Sequence, residues 1–248
     1  LYDLIDTLNN FPSTVDNILN LDRTLWMHAF NYALINFDSY IGYAQNYYLY
    51  KGLSEQFHPI LWDLNMSFGS FRLTDATQSY FNGFDISQAQ NMDPLNFINN
   101  SFLSPRPLIT QLLTNPRNQK MYLAHMRTII EEHFSNQNYA TRAQDLQNLI
   151  SSDVQNDVNK FYSFNDFLNN INNQVTIPSS ICPGITQLMD DRATYLSNYW
   201  SSFTQPNISN IQTQPNSNQF FGDDLTITAQ IQDASYAMLA YRYGENMP

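Results

Sequence analysis

Three groups of side chains lie close enough in sequence to do chemistry together. The first is Asn36-Phe37-Asp38-Ser39-Tyr40, the second is Gln45-Asn46-Tyr47-Tyr48-Leu49-Tyr50-Lys51, and the third is Leu61-Trp62-Asp63-Leu64-Asn65-Met66-Ser67-Phe68-Gly69. Asp38 follows the end of an apolar helical pattern. Asp63 sits in an aromatic strand-like run, where a carboxylate is costly unless paired, hydrogen-bonded or metal-bound. A hairpin between them would bring Asp38, Asn46 and Asp63 to one mouth. Two carboxylates and an amide oxygen are hard donors suited to Mg²⁺, with phosphate and water completing the shell. One carboxylate could instead orient a hydroxyl nucleophile, and phosphoryl transfer needs that pairing of metal and aspartate. The competing reading is structural: Asp38 caps a turn and Asp63 accepts backbone N–H groups in a buried loop.

The elements that must position these groups follow from periodicity. Leu1, Leu4, Ile5 and Leu8 share a helical face, and Asn9-Asn10-Phe11-Pro12 breaks the run. Ser13 and Asp16 form a capping-box-like start. Val15, Ile18, Leu19, Trp26, Ala29, Phe30, Ala33 and Leu34 then predict one long packed helix to about Ile35. Two aromatic runs, Asn46 to Tyr50 and Phe57 to Leu64, flank a short polar turn and predict a β-hairpin. Ser67 to Leu108 has no clean period, the mark of a lid or an insertion. Helical pattern returns at Asn118 to Phe134, with Met121, Ala124, Ile129 and Ile130 as core candidates. Further helices are expected at about 140–161, 163–173 and 182–200, the last opened by Cys182-Pro183-Gly184. In that last helix Leu188, Tyr195, Leu196 and Tyr199 should face inward.

After Trp200 the character changes. Pro206, Pro215 and Asn216-Ser217-Asn218 mark a linker and turns. Leu225 to Ile231 alternates with period two, and Pro206 to Ile211 and Tyr236 to Tyr243 are further strand candidates. This reads as the first strands of an Ig-like β-sandwich. A sandwich needs about seven strands, so further sequence or another chain should complete it. The expected organisation is a domain over 1–200 and a partial β domain over 201–248. The chain opens at Leu1 inside a helix, which reads as an excised part of a longer precursor.

Composition narrows the partners. The chain has 248 residues, 43% hydrophobic and only 13% charged, with a formal charge of −11. The apolar content is ample for a packed core. Amides replace charges on the surface, as in Asn169-Asn170-Ile171-Asn172-Asn173-Gln174. Such an amide-rich, lysine-poor surface points to a bacterial secreted or cell-surface protein. The acidity argues against nucleic acid, whose backbone is bound by Lys and Arg. It argues against an anionic membrane surface as well, and no run reaches the roughly 20 apolar residues of a membrane span. The single cysteine, Cys182, excludes an intrachain disulfide. It precedes a proline near a helix start, where a lowered pKa competes with an inert buried thiol. His125 and His133 are too far apart on one helix for a zinc pair. His28 belongs to the wall of the core.

Asp38-Ser39-Tyr40, Asn46-Tyr47-Tyr48-Leu49-Tyr50-Lys51 and His58-Pro59-Ile60-Leu61-Trp62-Asp63-Leu64-Asn65-Met66-Ser67-Phe68-Gly69 together resemble the CotH family of atypical protein kinases of the spore coat. Supporting matches are Asn115-Pro116, Tyr122 to Arg127, and Arg192-Ala193-Thr194-Tyr195-Leu196, so the resemblance covers about residues 1–200. It implies an α+β fold with a mostly helical, protein-kinase-like C-lobe and a small β-hairpin. It implies ATP with Mg²⁺ and transfer to Ser or Thr of a secreted or surface protein. By position, Asp38 is the catalytic-loop aspartate, Asn46 its metal-binding partner, and Asp63 the metal-binding aspartate of the second motif. Phe57 falls where the family often has an aromatic near the nucleotide. Lys51, Arg72 and Arg106 are the nearby cations, with Lys51 the candidate for the cofactor and surface solvation the competing role of each. Asn65 stands where many relatives have a second Asp, which lowers the charge available to a metal. The Asp38 to Asn46 spacing is wider than expected, and the family's amino-terminal part with its phosphate-contacting Lys or Arg is expected to lie outside these 248 residues. A fragment without that part is expected not to be a competent kinase. The rival reading is a non-catalytic surface or adhesion module on a degenerate kinase scaffold.

Overall fold

The computed structural model describes residues 1–53, 55–71, 84–95, 106–177, 180–203, 206–215 and 224–234, with 237 and 239. The chain is α+β and divides into two compact units, Leu1–Trp200 and Ser201–Pro248.

The first unit opens with α1 (Tyr2–Asn10), which buries Leu4 and Leu8, and a 3₁₀ turn at Pro12–Asn17. Helix α2 (Leu21–Ala33) comes next. The long helix expected from Ser13 is therefore split. The helix does not run through Ile18–Asn20 because the backbone there is committed elsewhere: Phe57 N–H donates to Ile18 O at 2.7 Å and Asn20 N–H to Phe57 O at 2.8 Å. Asn20, not Ser13, then caps α2, its side chain accepting from Arg23 N–H. Helix α2 is the centre of the unit. Thr24, Leu25, Met27, His28, Ala29, Asn31, Tyr32 and Ala33 are all buried, so it is covered on most sides.

A one-turn helix α3 (Tyr40–Tyr43) leads into β1 (Tyr47–Lys51), paired antiparallel with β2 (Phe57–Leu61) in the expected hairpin. Strand β2 stops at Leu61, so Asp63 lies beyond the strand in which the sequence placed it. Among the described residues that follow are two short helices, α4 (Ile86–Gln90) and α5 (Pro107–Thr110). Asp85 starts α4 with a reciprocal capping box to Gln88. Helix α6 (Pro116–Ile129) packs along α2 and ends in a π turn at Ile130–Phe134. Ala124, expected in the core, is exposed on α6, whereas Met126, Ile129 and Ile130 are buried.

Helices α7 (Asn138–Asn156) and α8 (Phe164–Asn169) are each shorter than the sequence predicted. A small hairpin, β3 (Val175–Ile177) with β4 (Ser180–Cys182), was not legible in the sequence, because three-residue strands carry too little alternation to register. Cys182 is therefore a strand residue, and α9 begins later, at Ile185, and runs to Ser201. Leu188 and Leu196 are buried as expected, and Tyr195 and Tyr199 are half-buried. No helix among the described residues is long and apolar enough to cross a membrane.

The second unit contains β5 (Asn207–Gln214) and β6 (Thr226–Gln232), an antiparallel hairpin with a register shift between Ser209 and Gln212. Every residue of β6 is exposed. Among the described residues of this unit these two strands alone do not make up a sandwich, and the third candidate, Tyr236 to Tyr243, falls outside the described residues apart from Ala237 and Leu239.

Candidate functional site

Helix α2 delivers the first motif. Its last turn runs into Ile35, a β-branched residue at φ +51° and fully buried. That backbone conformation is rare for isoleucine and marks a sharp, over-determined turn. Asn36 is locked behind it: its N–H donates to Asn31 O at 2.7 Å and its Nδ2 to Asn31 Oδ1 at 2.9 Å. Phe37 is fully buried, and Ser39 donates its hydroxyl to Asn36 O at 2.7 Å. Asp38, half-buried, is thus held between two anchored neighbours.

The third motif is fastened to the same turn. Phe68 N–H donates to Leu34 O at 2.8 Å and Gly69 N–H to Ile35 O at 3.2 Å. Gly69 has φ +70°, and a Cβ there would meet Pro183 Cγ at 3.3 Å and Leu188 Cδ2 at 3.4 Å. Both the backbone conformation and the close approach call for glycine. Two long stretches of sequence, one around Asp38 and one around Asp63, are in this way joined by backbone hydrogen bonds.

The second motif completes the mouth. Asn46, at φ +54°, donates Nδ2 to the Asp38 backbone oxygen at 2.8 Å and to Asp38 Oδ2 at 3.0 Å. Gln45 Nε2 donates to Asp38 Oδ1. Both carboxylate oxygens of Asp38 therefore carry an amide donor, and the side chain is held in one orientation. Gln45 opens the second motif, but the sequence assigns it no role of its own; its only signal is an amide beside Asn46. With Nδ2 spent on Asp38, the Asn46 side chain keeps its amide oxygen as an acceptor.

Asp63 sits at the same end of the hairpin. The register pairs Tyr47 with Leu61, so Asn46 precedes β1 where Asp63 follows β2. Asp63 is exposed, has φ +49°, and receives no hydrogen bond from any described residue. It is not the buried backbone acceptor of the structural reading. The structure thus brings Asp38 and Asn46 into direct contact and sets Asp63 at the same mouth without bonding it to either. Asn65 is exposed two residues on. Among the described residues, no group of three His, Cys, Asp or Glu side chains could hold a metal. Any cation here would depend on amide oxygens and on ligand phosphates.

Phe57 and Lys51 pair across the opposite end of the hairpin. Five residues of strand separate that end from the mouth, about 14 Å at the usual rise. Phe57 is half-buried and packs on the core with Tyr47, Leu49 and Leu61. Lys51 is exposed, pairs with Glu55, and lies 6.0 Å from the Phe57 ring centroid. The other face of the hairpin carries exposed Tyr48, Tyr50, Ile60 and Trp62, with Tyr48 and Trp62 edge to face at 5.3 Å.

The floor under the mouth is polar and buried. Tyr40 OH accepts from Leu108 N–H at 2.9 Å, and His28 Nε2 donates to Leu108 O at 2.9 Å. Burial holds the His28 pKa down at about 4 against the usual 6.5. Arg106, 4% exposed, donates Nη2 to Gly42 O and so steadies α3, the turn that joins Asp38 to Asn46. The largest such group is Arg192, fully buried on α9. Its Nε and Nη2 donate to Ala33 O and Tyr32 O, each at 3.0 Å. Its Nη1 lies 3.0, 3.4 and 3.2 Å from Ala89 O, Gln90 O and Met92 O. The guanidinium ties the C-terminal ends of α2 and α4, where helix dipoles favour a cation. Desolvation lowers its pKa to about 10, so it stays charged at neutral pH.

Comparison with curated proteins and with solved structures gave no match. The model of the family described as CotH kinase protein matches residues 1–202. That span holds the Asp38, Asn46 and Asp63 motifs and the Arg192 clamp behind them, and the chain belongs to the CotH kinase family.

Proposed function

We propose that the chain is the ATP- and Mg²⁺-using part of a CotH-like protein kinase that phosphorylates Ser or Thr of secreted or surface proteins. The observation that carries this reading is the Asp38–Asn46 pair. Asn46 Nδ2 bonds both the backbone and the carboxylate of Asp38. An aspartate held in this way is set to align an acceptor hydroxyl and take its proton. The donor set fits a hard cation: Asn46 spends its Nδ2 on Asp38 and keeps its amide oxygen as an acceptor, and the Asp63 carboxylate is exposed and accepts no bond from a described residue. Asp63 and Asn46 would hold Mg²⁺, with Asn65 as a further amide oxygen beside them. Mg²⁺ in that position would neutralise the phosphates during transfer. The hairpin's length, about 14 Å, spans an extended nucleotide from the mouth toward Phe57. The amide-rich, lysine-poor surface supports a place outside a bacterial cell.

A second reading has its own observation. Lys51 is engaged with Glu55 at the far end of the hairpin, and Asn65 supplies no charge. These favour a binding module on a kinase scaffold without transfer activity.

Thermal-shift measurements with Mg·ATP separate the two. Wild type should gain stability, and Asp63→Ala should lose that gain. Asp38→Ala should keep the shift while phosphate transfer to a Ser/Thr acceptor falls about 10²–10⁴-fold. Transfer that survives Asp38→Ala would end the proposed role of that residue. Absence of any shift in wild type would favour the binding module.

A further inference from the structure

Helix α7 is about 28 Å long at the usual rise, and Gln147 is its one buried residue. Gln147 Nε2 donates to Phe167 O at 2.6 Å, so α7 rests on α8 along a narrow line. About a third of a turn away, Arg142, Leu146, Leu149 and Asp153 recur at spacings of four, three and four, the stripe of a helix–helix seam. Leu146 is 44% exposed, Leu149 75%, and flanking Ile150 45%. Arg142 and Asp153 are both exposed, and neither forms an ion pair with a described residue. An apolar stripe this open on a folded unit marks an interaction surface.

The stripe has a symmetry that selects its occupant. Its four positions are disposed evenly about the midpoint between Gln147 and Asn148, with leucines inside and opposite charges at the ends. A two-fold axis through that midpoint makes the stripe complementary to itself. We propose that α7 is a homodimer surface that pairs antiparallel with α7 of a second copy. Leu146 packs on Leu149 of the partner subunit, and Arg142 meets Asp153 of the partner subunit, each contact occurring twice. An unrelated partner requires no such symmetry, and a net charge of −11 opposes an anionic lipid surface. A seam of three turns gives a weak dimer. The charge pairs set its direction and register more than its strength.

Sedimentation velocity of the full 248-residue chain over a concentration series tests this. The mass should rise toward that of a dimer. Arg142→Asp sets like charges against each other twice and should weaken association about tenfold. The double variant Arg142→Asp with Asp153→Arg restores opposite charges and should recover it. Leu149→Glu should abolish it, with circular dichroism confirming that the helix content is retained. A chain monomeric throughout the series overturns the proposal. So does association indifferent to Arg142→Asp, or one that the double variant fails to restore.

Discussion

Arg192 and the Asp38–Asn46–Asp63 mouth are both polar constellations built on the end of α2, and they are finished in opposite ways. Arg192 is fully buried, and its donors are met by five backbone carbonyls from two helix ends and the chain after α4. Asp63 is exposed with no described donor, and Asn46 holds Asp38 while keeping an oxygen to spare. The first arrangement leaves nothing for a ligand and is worth stability. The second leaves acceptors open and contributes little to folding. A buried charge must be satisfied internally or the fold fails, whereas a site must stay partly unsatisfied to bind anything.

That contrast can be broken by substitution. Arg192→Met strands several buried carbonyls at once and should cost about 3–5 kcal/mol in urea denaturation. A loss below about 1 kcal/mol would mean that the clamp is not what holds α2 to α4.

The buried floor should respond to acid. His28 has a folded pKa of about 4 against 6.5, so the unfolded chain binds its proton first as pH falls. Its full contribution is present above pH 6.5. It declines between 6.5 and 4, by about 3 kcal/mol. Urea denaturation across that range should show the slope in wild type and a shallower one in His28→Gln. Equal slopes would place the acid sensitivity elsewhere.

Gly69→Ala should cost about 1–2 kcal/mol, from the left-handed backbone and the approach of Pro183 and Leu188. The smallest effect is expected at the mouth. Asp63→Ala should leave ligand-free stability within about 0.5 kcal/mol of wild type. A large loss there would make Asp63 a structural residue and remove the contrast.

Periodicity and residue type along the chain are enough to define the helical faces, the hairpin at 47–61 and the candidacy of Asp38, Asn46 and Asp63. These are local matters of period, turn residues and chemically competent types. Leu4 and Leu8 share the buried face of α1 because they are one helical turn apart, and no distant residue is needed to say so. Tertiary structure decided what depends on partners far along the chain. The Ile18–Asn20 segment interrupts a good helical pattern because Phe57 claims its backbone. Asp63 falls outside the strand because Phe68 and Gly69 are drawn back to Leu34 and Ile35. Arg192 reads as one more charged helix residue until the carbonyls of Tyr32 and Ala89 meet it from two other helices. Hydrogen-bond partners separated by tens to more than a hundred residues leave no trace in a local period, because only the folded chain brings them within reach.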